Sequence, residues 1–247
     1  MRAILMAAGI GSRISREISK PKSLLDVGGG KSLIRHTVEL LMAHDIDVTI
    51  VVGYKKELFF EELAGLPVDF AVNPFYRVSN SVASLWFARD YLKEDTDYLF
   101  GNADVFFEEE ILKLLLDSPE ETVLLSDARR AKVGDYLFKL ENGYIRKYGK
   151  ELPMEDRDCE YVGLGKVKST YMKRFVEIME QMIETENYQT WWEVILYDHC
   201  MEQPVKALDV APYFWSEIDY IEDYMKIVNY TRMPATELEQ SEKLRKS

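Results

Sequence analysis

The sequence is poor in cysteine and histidine. Its 247 residues include two cysteines, Cys159 and Cys200, and three histidines. The first residues also lack the basic and apolar regions of a secretory signal. We therefore expect a protein of the reducing cytoplasm.

Positive charge is also in short supply. The chain has 31 Lys and Arg against 43 Asp and Glu, so its formal net charge is −12. Broad binding to nucleic acid or to an anionic membrane needs clustered Lys and Arg, which an acidic surface does not provide. Any phosphate must be bound locally, and we expect no nucleic-acid partner.

Long apolar runs are missing as well. Charged residues interrupt every stretch that approaches the roughly 20 residues needed to span a bilayer, so we expect no integral membrane association. With 47% hydrophobic and 30% charged residues, the chain can still bury a substantial core. We expect one nucleotide-binding and acceptor-binding domain over residues 1–230, followed by a polar tail at 231–247.

The first half alternates short apolar runs with segments of helical period. Strands are predicted at 3–8, 48–52, 69–72 and 98–100, and helices at 33–43, 57–63 and 81–92. Such alternation is typical of an α/β protein with a mainly parallel sheet flanked by helices.

The pattern changes in the second half. Strands are predicted at 122–126, 136–141 and 144–147, with Asn142-Gly143 as the turn of a hairpin. Helices are predicted at 170–184 and 191–201, and Thr190 with Glu193 has the spacing of a capping box. The sheet should therefore gain antiparallel strands.

A glycine-rich segment follows the first strand. It is Ala7-Ala8-Gly9-Ile10-Gly11-Ser12-Arg13, and Lys20-Pro21-Lys22 comes soon after. Glycine lets backbone N–H groups approach phosphate oxygens, Arg13 can contact two oxygens, and Lys22 supplies a compact charge. A glycine pair alone is equally compatible with an ordinary turn, but the combination predicts a triphosphate site.

Two other phosphate motifs are excluded. The first segment lacks the Gly-Lys-Ser/Thr of a P-loop and the third glycine of a dinucleotide fingerprint. Gly28-Gly29-Gly30-Lys31-Ser32 resembles a P-loop superficially, but its leading glycine and strand context are wrong. We expect a tight turn before the helix there.

Carboxylates follow two apolar runs. Asp104 comes after the strand at 98–100, and Glu217 and Asp219 come after another apolar run. Magnesium in phosphoryl-transfer sites takes one or two carboxylates together with phosphate oxygens and water. Asp219 could instead cap a helix that begins near Ile221, with Glu222 completing the box. Three strand-end carboxylates beside a phosphate site favour magnesium.

In this order, the motifs resemble the sugar-nucleotidyltransferase-like superfamily over about residues 1–230, and within it the bacterial phosphocholine cytidylyltransferases. The resemblance implies a Rossmann-like mixed sheet and transfer of CMP from CTP to phosphocholine, aminoethylphosphonate or a similar acceptor. The residues that it implies bind nucleotide are Ala7, Ala8, Gly9, Gly11, Ser12, Arg13, Asn80 and Ser84.

The same resemblance implies the catalytic and metal-binding residues. Lys22, Arg13 and Asp104 would be catalytic, and Asp104 would bind Mg²⁺ with Glu217 or Asp219. Asn80 has a competing role as the N-cap of the helix at Ser81.

An ammonium-bearing acceptor favours aromatic and acidic surroundings. Candidate aromatic residues for its pocket are Tyr136, Tyr161, Tyr188, Trp191, Trp192, Tyr213 and Trp215, and core packing is the alternative for each. Adjacent residues on a helix point about 100° apart, so Trp191 and Trp192 should not share one core face. The histidines, His36, His44 and His199, are expected to be structural.

Two other functions stay open. One is a sugar-1-phosphate nucleotidyltransferase that uses dTTP, UTP or GTP, whose acceptor pocket should be rich in polar hydroxyl-binding groups. The other is a nucleotide-binding module without activity. The aromatic second half argues against the first, and Arg13, Lys22 and Asp104 together argue against the second.

Overall fold

The computed structural model describes residues 1–11 and 20–232. The strands are β1 (Arg2–Ala7), β2 (Asp47–Val52), β3 (Val68–Val72), β4 (Tyr98–Asn102), β5 (Val105–Phe107), β6 (Thr122–Asp127), β7 (Leu137–Glu141), β8 (Tyr144–Gly149), β9 (Cys159–Val167), β10 (Lys206–Asp209) and β11 (Trp215–Glu217). The helices are α1 (Leu33–Ala43), α2 (Lys56–Glu62), α3 (Ser81–Phe87), α4 (Glu109–Asp117), α5 (Ser169–Glu184), α6 (Val194–Tyr197) and α7 (Ile221–Arg232).

Nine strands form one mixed sheet. Their order is β3-β2-β1-β4-β9-β6-β10-β8-β7, and β7 also pairs with β9. Strands β3, β2, β1 and β4 are parallel, whereas β9 runs antiparallel to both β4 and β6. The predicted α/β fold, with a parallel first half and antiparallel strands in the second, is confirmed.

Strand β1 lies at the centre of the parallel half and is buried on both faces. Ile4 and Met6 point into one core cluster, while Ala3, Leu5 and Ala7 point into the other. A strand that is covered on both sides needs apolar residues at every position, which explains its unbroken apolar sequence. Within residues 1–11 and 20–232, every helix is too short or too polar to cross a lipid bilayer.

A small second sheet carries the late carboxylates to the parallel strands. Strand β11 pairs antiparallel with β5, with Glu217 opposite Val105. The Ile218 N–H then donates to the Asp104 carbonyl at 3.0 Å. Residues that are more than a hundred positions apart therefore meet just beyond the carboxyl end of β4, where open α/β sheets bind ligands.

Both predicted turns are confirmed. Gly28, Gly29 and Gly30 all have positive φ, and the Ser32 hydroxyl caps α1 by accepting from the Arg35 N–H, so this segment is a turn. In the β7–β8 hairpin, Asn142 has φ 53° and Gly143 has φ 82°, the left-handed conformation that favours Asn-Gly.

Two helix predictions were wrong in their limits. The helix predicted at 81–92 ends at Phe87, and a separate 3₁₀ turn follows at Arg89–Tyr91. The helix predicted at 191–201 is reduced to α6, and no capping box precedes it, because the Thr190 hydroxyl donates to the Asn187 carbonyl. Helix α7 continues through Arg232, two residues into the segment predicted as a tail; the rest of that segment lies outside the described residues.

Glycine 165 is expected to be essential for the packing of β9. A Cβ at this position would lie 2.5 Å from Leu124 Cδ2 and 2.8 Å from the Val123 carbonyl oxygen. Gly165→Ala should therefore lower the free energy of unfolding by about 1–3 kcal/mol, measured by thermal denaturation. Gly9→Ala is the control, because no atom of residues 1–11 or 20–232 lies within 4 Å of a Cβ there. Equal melting temperatures for both variants would contradict this account of β9.

Candidate active site

Two cavities open side by side beyond β1 and β4. The first, here called the loop cavity, is lined by residues 7–9 and 79–81 and has a volume of about 240 Å³. The second, the aromatic cavity, is lined by four aromatic side chains and has a volume of about 350 Å³. Residues common to both linings are Gly11, Lys22, Asn102, Trp191 and Glu217. Two ligands bound here would be direct neighbours.

The chain after β1 forms one wall of the loop cavity. The lining includes Ala7, Ala8, Gly9 and Gly11, and their binding of nucleotide stays a prediction. Gly11 has φ 67°, and a Cβ there would lie 2.9 Å from Lys22 Cγ, so both the backbone conformation and the lysine stem require glycine. Ser12 and Arg13 lie outside the described residues.

The opposite wall comes from the start of α3. Asn80 and Ser84 both line the loop cavity, and their binding of nucleotide stays a prediction. Asn80 also caps α3 by accepting from the Ser81 N–H, so its two proposed roles coexist. The buried Asn73 amide donates to the hydroxyls of Ser79 and Ser84 at 3.1 and 3.0 Å, which fixes this polar wall.

Lys22 lies between two carboxylates at the junction of the cavities. Its Nζ is 3.1 Å from Asp104 Oδ2 and 2.5 Å from Asp219 Oδ1. Burial disfavours the ammonium form, but Asp104 and Asp219 outweigh burial and raise the Lys22 pKa. Lys22 is therefore charged at neutral pH. The predicted convergence of Lys22, Asp104 and Asp219 is present in the structure.

Acidic groups outnumber this lysine. Burial, together with the negative charges of Asp104 and Asp219, raises the pKa of Glu217 to about 8. A carboxyl group with such a pKa holds its proton near neutrality because another anion cannot be accommodated there. The junction is thus short of positive charge.

The cap of α7 comes from a residue other than the predicted one. Asp219 pairs with Lys22. Asp223, and not the predicted Glu222, accepts from the backbone N–H groups of Asp219 and Tyr220 before α7.

The donor set at the junction fits a magnesium ion that is completed by phosphate. In the described part of the chain, no group of three or more His, Cys, Asp or Glu side chains is arranged to hold a metal on its own. Magnesium at nucleotide sites uses one or two carboxylates plus phosphate oxygens and water. Lys22 contacts one oxygen of each carboxylate, Asp104 Oδ2 and Asp219 Oδ1. Because a carboxylate has two oxygens and can contact more than one cation, both side chains can also contact a magnesium ion.

The aromatic cavity has a carboxylate at its base. Tyr136, Tyr161, Trp191 and Tyr197 line it, together with Glu193. The ring of Trp191 stands edge-on to Tyr136 at 5.6 Å, and Tyr197 stacks on Tyr136 at 5.3 Å. At the rim, Lys150 pairs with Asp135 at 2.7 Å. Aromatic faces around a carboxylate favour a cationic ligand.

Glu193 is the residue of this site that the sequence analysis assigned to another role. It was predicted to complete a capping box, but its carboxyl group is 4% exposed, and Oε1 accepts a 3.5 Å hydrogen bond from Asn102. Burial raises the Glu193 pKa to about 7. Tyr197 was missed altogether, because nothing in the sequence distinguishes it from the other aromatic residues.

Four of the seven aromatic residues predicted as candidates for the acceptor pocket lie elsewhere. Trp192 is fully buried against Phe100, and Tyr213 packs in the core cluster that contains Leu5. The Trp215 indole N–H donates to Asp127, so this ring is also structural. Tyr188 lines a separate apolar cavity with Trp86 and Phe87. Tyr136, Tyr161 and Trp191 are the three that line the aromatic cavity.

The histidines take no part in either cavity lining. His36 stacks on Phe106 at 5.0 Å, His44 contacts Glu109 and His199 contacts Glu202. Their predicted structural roles agree with these contacts.

The sequence model of one protein family, described as the MobA-like NTP transferase domain, matches residues 3–198. This range includes the glycine-containing segment after β1, Lys22 and Asp104. The chain belongs to this family. It is a nucleotidyltransferase, and the predicted resemblance to the phosphocholine cytidylyltransferases is confirmed.

Two relatives of this nucleotidyltransferase match it over most of their own length. A CTP:phosphoglutamine cytidylyltransferase from Campylobacter jejuni is 25% identical, with 90% of this chain and 97% of that protein covered. A 2-aminoethylphosphonate cytidylyltransferase from Lancefieldella rimae is 27% identical, with 85% and 86% covered. The solved structure of CTP:phosphocholine cytidylyltransferase from Streptococcus pneumoniae has a TM-score of 0.75 at 20% identity and covers 92% of this chain and 97% of its own, which shows a shared fold.

The adjacent tryptophans of the nucleotidyltransferase should respond differently to truncation. Trp192 is 0% exposed and Trp191 is 41% exposed. Trp192→Ala should lower the free energy of unfolding by about 3–5 kcal/mol, measured by denaturant unfolding. Trp191→Ala should change it by less than about 1 kcal/mol while raising the KM of the substrate that occupies the aromatic cavity. A reversed order of stabilities would contradict the assignment of the two rings.

Proposed function

We propose that this nucleotidyltransferase is a magnesium-dependent cytidylyltransferase. It transfers CMP from CTP to a small phosphorylated or phosphonate acceptor that carries an ammonium group, and it releases pyrophosphate. The observation that carries the proposal is the position of Lys22, at the junction between a glycine-lined cavity and a cavity of aromatic and acidic side chains.

The choice of CTP is supported by the relatives. Proteins named as cytidylyltransferases match over most of this chain, as described above. The loop cavity has the parts that a nucleoside triphosphate requires, since Gly9 leaves backbone N–H groups accessible to phosphate. Ser79, Asn80 and Ser84 add polar side chains that can bond to a base and ribose.

The acceptor is assigned from the composition of the aromatic cavity. A phosphate or phosphonate group would lie at the junction, near Lys22, and the rest of the acceptor would extend toward Tyr136 and Trp191. Contacts of a cation with such rings contribute about 0.5–2 kcal/mol each. Glu193 borders the same cavity, and its ionised form adds a negative charge. An uncharged sugar would gain none of this charge-dependent attraction.

The reaction is an in-line displacement. An acceptor oxygen forms a bond to the α-phosphorus of CTP, and the bond from the α-phosphorus to its bridging oxygen breaks. Pyrophosphate leaves with that electron pair. The acceptor oxygen is already anionic near neutral pH, so the chain needs no general base, in keeping with the distance of the histidines from the cavities.

The side chains at the junction position the reactants and balance charge. The Lys22 ammonium has three N–H donors, two of which face Asp104 and Asp219, and the third can reach the α-phosphate. Asp104 and Asp219 would hold Mg²⁺. When bound, the ion would neutralise phosphate oxygens as negative charge develops on the leaving group. Gly9 and Gly11 would hold the leaving phosphates through backbone N–H groups.

The proposed reaction is tested by measuring pyrophosphate release in the presence of magnesium. CTP, UTP, dTTP, ATP and GTP are each paired with phosphocholine, phosphoethanolamine, aminoethylphosphonate and sugar 1-phosphates. We expect turnover with CTP and an ammonium-bearing acceptor, and its loss when EDTA removes magnesium. Turnover restricted to a sugar 1-phosphate would refute the acceptor class, and turnover restricted to another nucleotide would refute CTP.

Removing the charge of Lys22 should abolish most turnover. Lys22→Met keeps much of the apolar stem and should lower kcat by about 10²–10³-fold, the usual effect of losing one group that stabilises transition-state charge. The fold should persist, because the Asp104 and Asp219 side chains are each 23% exposed and can be hydrated. Lys173→Met on the exposed face of α5 is the control and should leave kcat unchanged. A wild-type rate for Lys22→Met would exclude the proposed role.

A further inference from the structure

The aromatic cavity is bordered by three buried polar atoms that make no hydrogen bond of normal geometry within residues 1–11 and 20–232, although Tyr161 and Glu193 interact electrostatically. The three atoms are Glu193 Oε2 and the hydroxyl oxygens of Tyr161 and Tyr197. Glu193 is 4%, Tyr161 9% and Tyr197 2% exposed, and all three line the cavity. Buried polar groups are nearly always hydrogen-bonded in folded proteins, so this cluster calls for a ligand that supplies the missing bonds.

The chemistry of the cluster defines the missing partner. A carboxylate oxygen accepts hydrogen bonds, and each phenol oxygen can accept as well. A primary ammonium group has three N–H donors and one positive charge. A quaternary ammonium group has the same charge but no N–H. It would therefore supply no hydrogen bond to any of these three oxygens.

The aromatic rings do not make this distinction. Tyr136 and Trp191 offer faces that attract either kind of ammonium, because the attraction depends on charge and not on N–H groups. Selection between the two must therefore come from hydrogen bonding. Sites built to bond a substrate N–H reject an analogue that lacks it, because the protein groups are then left unsatisfied.

We propose that Glu193, with the hydroxyls of Tyr161 and Tyr197, selects acceptors that end in a primary ammonium group over acceptors that end in a quaternary one. This inference rests on the proposed function, because it assigns the acceptor to the aromatic cavity. It narrows the acceptor to a small phosphorylated or phosphonate primary amine. Glu193 is the specificity-determining residue, and it acts on substrate affinity and not on the reacting atoms.

The test uses four acceptors that differ only in methylation. Phosphoethanolamine, its N-methyl and N,N-dimethyl derivatives and phosphocholine share the same phosphate. Pyrophosphate release by the full chain is measured at saturating CTP and magnesium. We expect kcat/KM to fall along the series, by about 10- to 100-fold in total, with most of the change in KM. Equal or better use of phosphocholine would overturn the inference and leave the proposed function intact. No turnover with any of the four or with aminoethylphosphonate would overturn both.

Two variants assign the selectivity to the cluster. Glu193→Gln keeps the shape of the side chain but removes its charge, and Tyr197→Phe removes one unpartnered hydroxyl. Both should reduce the preference for phosphoethanolamine over phosphocholine at least about threefold while the KM of CTP stays unchanged. Tyr148→Phe is the matched control. Tyr148 stacks on Tyr197 at 4.8 Å, but its hydroxyl donates to Asp198, so the preference should remain. Wild-type preference in Glu193→Gln would exclude this residue as the selector.

Discussion

The ammonium group of Lys22, held between Asp104 and Asp219, is the interaction on which the rest of the site depends. It joins three distant parts of the chain: the segment after the β1 loop, the end of β4, and the segment after β11. Burying a lysine is unfavourable unless carboxylates compensate for the lost water. Here the carboxylates do so, and Gly11 leaves room for the lysine stem. Lys22 also lies between the two cavities. Burial, together with the carboxylates that Lys22 holds, Asp104 and Asp219, raises the pKa of the nearby Glu217 side chain.

The sequence allowed the phosphate side of the site to be predicted, because its residues follow apolar strands directly. Gly9, Gly11 and Asp104 come just after β1 and β4, and the carboxyl ends of neighbouring parallel strands must meet. Lys22 could be assigned to the same phosphate site because it follows Gly9 and Gly11 closely in the sequence. Asp219 was ambiguous in the sequence, since its spacing from the next helix also suits a cap. The structure assigns capping to Asp223 instead.

The second half was harder because side-chain direction there depends on tertiary contacts. Strand β9 was not predicted, because Glu160, Gly163 and Lys166 interrupt its apolar sequence. Lys166 is nevertheless buried, and its ammonium group donates to the Leu116 and Ser118 carbonyls. The direction of Trp215 is determined by its bond to Asp127. Glu193 was hidden by a capping-box spacing that occurs by chance. No local pattern encodes any of these contacts.

Trp191, Lys22, Asn102 and Glu217 each border both cavities, and the segment before Trp191 is tied to α3, where the Asn80 N–H donates to the Tyr188 carbonyl at 2.9 Å. A wall that two substrates share cannot respond to one of them alone. If occupancy of one cavity orders that wall, the other substrate gains affinity, and by thermodynamic reciprocity the gain is equal in both directions. Under that condition the two binding equilibria are linked, and a dissociation constant measured for one substrate holds only at a stated concentration of the other.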